Sequence, residues 1–170
     1  GFELFGLSRI CERRGETKRA RTHYEQSLAL AELPVESDRA AKRSLARLAK
    51  REGDLALARD LWQEMLGTSR EGLEAYEQLA IYYERHRREP DRAALISRNA
   101  LTDLQKAQRS GAIASGVYHK MRARFEGRLV RLERKVGSLL PKPIVAESPA
   151  RPGESNQAVG KRGNSHARIG

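Results

Sequence analysis

The sequence contains one cysteine, Cys11. That excludes an internal disulfide and a cysteine-rich zinc site, and it fits a reducing, cytoplasmic compartment. Aromatic residues make up only 5% of the chain, so few platforms exist on which nucleobases could stack. No apolar run approaches the roughly 18 residues that suggest a membrane span, and no secretory signal is visible. There is no Gly-rich phosphate loop and no Gly-x-Ser-x-Gly elbow. The four histidines, His23, His86, His119 and His166, stand far apart, none in a recognised metal-ligand spacing. His23 and His86 read as a solvent-side residue and a turn residue. The carboxylates lie on charged helix faces among arginines, which suggests surface pairs. No cofactor, metal or catalytic site is expected, and the chain reads as non-enzymatic.

What the sequence has is charge and helical periodicity. Charged residues are 32% of the chain, with a net charge of +11. Residues 1–114 are nearly balanced, with 21 basic against 18 acidic residues, whereas residues 115–170 carry 12 against 4. A basic C-terminal third raises encounter rates with any polyanion. The chain opens Gly1-Phe2-Glu3 without a methionine, which suggests a trimmed chain or a piece of a longer one.

The first 107 residues show apolar spacing of three and four, and glycine and proline fall between the periodic stretches. Gly15-Glu16 and Gly53-Asp54 each end one helix and start another. Thr68 with Glu71 predicts a capping box, Pro90-Asp91 a first turn, and Ser37 or Asp38 a cap after the connector Leu33–Asp38.

A pattern recurs. Ala20-x3-Tyr24-x2-Ser27, Ala58-x3-Trp62-x2-Met65 and Ala93-x3-Ser97-x2-Ala100 share one spacing, their alanines 38 and 35 residues apart. Each follows an upstream segment of a second type: Leu4-x2-Leu7-Ser8-x2-Cys11, Lys42-x2-Leu45-Ala46-x2-Ala49 and Tyr76-x2-Leu79-Ala80-x2-Tyr83. Small residues at Ser8, Ala46 and Ala80 permit close helix approach, and Cys11 falls on the inward face. A single helix pair cannot bury its own apolar face, so such pairs stack.

These residues resemble the tetratricopeptide repeat (TPR). The departures are Lys42 at a usually apolar or aromatic position, Ser97 in place of an aromatic, and a third repeat with one extra residue and no Gly-acidic turn. The resemblance implies an all-α, right-handed array of three TPR-like helix pairs over residues 1–107, with a concave groove lined by the first helix of each pair. The groove would present Arg9 from the first pair, Arg43, Arg47 and Lys50 from the second, and Glu74, Glu77 and Glu84 from the third. A protein or peptide partner is the implied ligand. Chaperone-type repeats that clamp a C-terminal carboxylate carry asparagines where this chain has Gly6, Ser44 and Gln78, so that specificity is not implied.

Beyond the repeats, Tyr118, Met121, Phe125, Leu129, Leu132, Val136 and Leu139 form one apolar stripe, which predicts a basic amphipathic capping helix over 112–140. Arg122, Arg124, Arg128 and Arg131 are its candidate contacts to a polyanion. The tail 141–170, with four prolines and four glycines, reads as disordered. The run Glu74–Arg85 followed by Asp91-Arg92-Ala93 is also similar to the repeat region C-terminal to ribonuclease H-like exonuclease domains of some bacterial proteins. That resemblance implies an accessory nucleic-acid-binding region as the alternative to a scaffold. The acidic metal ligands of such an exonuclease are absent from this chain, so no catalytic residue carries over.

Overall fold

A computed structural model describes residues 1–139; the predicted tail 141–170 lies outside the described residues. Seven α-helices follow one another: α1 (Phe2–Arg13), α2 (Thr17–Ala29), α3 (Val35–Glu52), α4 (Leu55–Met65), α5 (Arg70–Tyr82), α6 (Pro90–Arg109) and α7 (Ser115–Leu139). A π-helical turn, Tyr83–Arg87, extends α5. No strand occurs among the described residues, and no helix there is long and apolar enough to cross a membrane.

Each helix packs on the next in chain order, and α1 also touches α3. The buried faces follow the spacing of three and four: Phe5, Ser8 and Cys11 on α1; Ala20, Tyr24 and Ser27 on α2; Ala58, Leu61, Trp62 and Met65 on α4. Ser8, Ala46, Ala80, Ala20, Ala58 and Ala93 are all fully buried. The serines among the buried residues satisfy themselves locally, Ser8 Oγ on the Phe5 carbonyl at 2.6 Å and Ser97 Oγ on that of Ala93 at 2.8 Å.

The turns show how sequence sets the helix ends. Gly53 closes α3 at φ +84°, a conformation costly for a residue with a Cβ. Asp54 then caps α4, its Oδ1 accepting from Leu57 N at 3.2 Å. The third pair lacks such a glycine, and Arg88 takes the left-handed position instead, at φ +57°. The extra residue of that segment is absorbed by the π turn, where the Glu89 amide donates to the Tyr83 carbonyl at 2.9 Å.

Two predicted caps are corrected. The cap of α5 is Ser69, not Thr68: its Oγ accepts from Gly72 N at 3.1 Å. This register puts Gly72 under the chain at Met65–Gly67, where a Cβ would lie 2.7 Å from two carbonyl oxygens. Glu71 is thereby free to face Arg43. Helix α3 starts at Val35, earlier than the expected cap at Ser37 or Asp38, with Pro34 before it and no side-chain cap. Glu36 and Asp38 fall in its first turn, where the positive helix end favours acids.

Helix α7 lays its apolar stripe along α6. Tyr118, Met121, Phe125 and Leu132 of the predicted stripe are buried, and Leu129 packs beside them. The helix packs on α6 and pairs through side chains with α5.

Candidate functional site

Among the cavities of the described surface, one of about 470 Å³ lies between α3 and α5. Its floor is Trp62, Met65 and Ala75, and its walls are Arg43, Arg47 and Lys50 of α3 and Glu71, Glu74, Glu77 and Gln78 of α5, with Arg124 reaching in from α7. Three of the four predicted groove cations thus come together. The fourth, Arg9, stands apart on α1 with its guanidinium 5.8 Å from the centre of the Phe5 ring.

The spacing of α3 explains the wall. Residues 43, 47 and 50 recur at i, i+4 and i+7 and share a face, while Leu45, Leu48 and Ala49 turn into the core. On α5, Glu71, Glu74 and Glu77 recur every three residues on the face opposite. Like charges along each helix repel weakly, and opposite charges across the cleft offset that cost.

Charge matching across the cavity is nearly complete. Arg43 lies 3.7 Å from Glu71 and 3.8 Å from Glu74, Arg124 lies 3.3 Å from Glu77, and Arg47 pairs with Glu12 of α1. Glu12 also accepts from the buried Tyr24 hydroxyl at 2.9 Å. Lys50 differs. Its ammonium donates to the neutral Gln78 Oε1 at 2.8 Å and lies 6.0 Å from the centre of the Trp62 ring. No carboxylate among the described residues pairs with it. Lys50 is thus the one cation of the four that faces no carboxylate, and it sits above the single tryptophan of the chain.

A second cluster ties α7 down. Glu84, only 6% exposed, receives Arg128 at 2.9 Å, Arg131 at 2.9 and 3.2 Å, and Lys135 at 3.1 Å. Hydrogen bonding from Arg131, and then from Lys135, holds its carboxyl down to about 2, against the opposing effect of burial. Arg122 binds Glu126 one turn along its own helix at 2.7 Å. The four arginines proposed as polyanion contacts are therefore each engaged by an acid of the protein. Sequence reasoning placed Glu77 and Glu84 in the groove and missed their hold on α7. The available signal was their spacing of seven along α5 and its π-helical extension, matched by Arg124, Arg128, Arg131 and Lys135 on α7.

Other expected residues fall as follows. Cys11 is buried on the inward face of α1. Lys42 is half-buried in place of an apolar residue, 3.1 Å from both Asp38 and Glu64. His23, read as solvent-side, is half-buried with its Nδ1 sealed off and without a hydrogen-bond partner among the described residues. It borders the buried stripe Ala20–Tyr24, three residues from Ala20 on the same helix. His86 is exposed, stacked on Tyr82 with ring centres 6.1 Å apart. No cluster of three metal-ligating side chains occurs among the described residues. No protein-family model matches this chain, and no curated protein or solved structure matches it.

Proposed function

We propose that the chain is a non-catalytic interaction scaffold that holds a protein or peptide segment between α3 and α5. In this reading residues 1–107 form three TPR-like helix pairs stacked as an α-solenoid, and α7 closes the end as a solvating cap. The equal burial of the six small residues at matching repeat positions supports the stacking, as does the packing of each helix on the next.

The observation that carries the function is the cleft itself. It combines an apolar floor with charged walls of both signs, and its long side chains are held in place by their own partners. Such a surface suits an extended segment, which gains affinity from the floor and orientation from the walls.

Peptides selected by display against the folded protein test this reading. Binding of the selected peptides is expected to fall at least tenfold in the double variant Arg43→Ser, Arg47→Ser, measured by isothermal titration. Selected peptides that bind this variant unchanged would place the recognition surface elsewhere.

A further inference from the structure

Resting on the reading above, we propose that Lys50 is the anchor for an internal acidic side chain of the partner segment, with an adjacent apolar side chain of that segment seated on Trp62. The occupant is a stretch bearing one aspartate or glutamate beside a leucine, methionine or similar residue.

The charge inventory of the cleft is the basis. Arg43, Arg47 and Arg124 each have a carboxylate, and each carboxylate of the cleft has a cation. Lys50 has a neutral amide instead, although it lies within the same walls. A single carboxylate completes the set. A phosphate or a polyanion brings two or more charges, and the nearest arginines would have to leave their acids to meet them. A cationic segment would leave Lys50 unmatched and add repulsion.

The surroundings specify the rest. Lys50 stands over the Trp62 ring, so a carboxylate that reaches it brings its neighbouring residues down onto Trp62, Met65 and Ala75. Walls of both signs extend from Lys50 back along the cleft to Arg43 and Glu71, so a segment anchored at Lys50 through a side chain has a length of cleft to occupy. A chain terminus favours the two-pronged hold of a guanidinium, whereas the cation without a carboxylate here is a lysine, a single-point charge.

The probe is a library of acetylated, amidated octapeptides with a fixed central Glu, Asp, Gln or Lys beside varied apolar residues, titrated while Trp62 emission is followed. Because Trp62 is the only tryptophan, its emission reports the cleft alone. The Glu and Asp pools are expected to shift the emission and to bind about three- to fivefold tighter than the Gln pool, in proportion to one solvent-facing ion pair. That preference should vanish in Lys50→Met, which keeps the stem over the ring. Equal binding of the Gln or Lys pools would overturn the role of Lys50 while leaving the cleft as the binding site. Binding confined to peptides with a free C-terminus would overturn the internal carboxylate. An unchanged emission with every pool would overturn both this inference and the proposed function. Full preference retained in Lys50→Met would also overturn it.

Discussion

Glu84 and Arg128 form an ion pair of 2.9 Å between the π-helical turn after α5 and α7, with side chains 6% and 13% exposed. Two charges this far from water are costly unless the geometry repays their desolvation. Here Arg131 and Lys135, both half-exposed, supply further donors to the same carboxylate. The pair therefore ties α7 to the π-helical turn, while the apolar stripe from Tyr118 to Leu132 is buried beside it.

The acid limb of the stability profile depends on this pair. Glu84 titrates at about 2 in the folded chain, against 4.5 for an ordinary glutamate. The unfolded chain binds the proton more readily, so the contribution is fully present above about pH 4.5 and is lost as pH falls towards 2. Glu84→Gln is expected to cost about 2–3 kcal/mol at pH 7. It should also flatten the decline between pH 4.5 and 2, as followed by urea unfolding at a series of pH values.

Arg88 occupies the left-handed position that Gly15 and Gly53 fill in the other two segments. Arg88→Gly is expected to raise stability by up to about 1 kcal/mol, and Gly53→Ala to lower it by about as much, in thermal unfolding. An unstable Arg88→Gly would mean that the arginine side chain contributes more than its backbone costs.

Two glycines on helices should respond oppositely to alanine. Gly72 has two carbonyl oxygens 2.7 Å from where a Cβ would lie, so Gly72→Ala should destabilise by about 2 kcal/mol or more. Gly127, within α7, has nothing within 4 Å, and Gly127→Ala should stabilise by about 0.5–1 kcal/mol. Paired unfolding curves of the two variants decide both.

The arginines of α7 are matched internally, which bears on the alternative reading of a nucleic-acid-binding accessory region. If that reading held through Arg122, Arg124, Arg128 and Arg131, their replacement by Gln would abolish binding to RNA or duplex DNA. With Glu77 and Glu84 holding three of them, the wild type is expected to bind single-stranded RNA weakly at 0.15 M salt, while Glu77→Gln with Glu84→Gln binds more tightly. Anisotropy titrations at two salt concentrations read the difference.

Much of the architecture is legible in the residues. Spacings such as Ala20-Tyr24-Ser27 and Tyr118-Met121-Phe125 give helices and their buried faces, because burial imposes the helical period directly. Helix starts are less legible. Thr68 and Ser69 are both good caps, and only the contact of Gly72 with the chain at Met65–Gly67, formed once α4 and α5 pack, selects the second. The wall of Arg43, Arg47 and Lys50 follows from spacing on one helix. Which acids neutralise it, and that Lys50 alone meets an amide, depend on how neighbouring helices line up. The π turn that replaces a glycine after α5 has no local signature beyond one extra residue.

Hydrogen–deuterium exchange of the protein with and without a display-selected peptide tests the cleft most directly. Bound peptide is expected to slow exchange in α3 around residues 43–50 and in α5 around 71–78, with α2 and the outer face of α6 unchanged. Protection confined to α7, or to the helices away from this cleft, would contradict the proposal that the segment lies between α3 and α5.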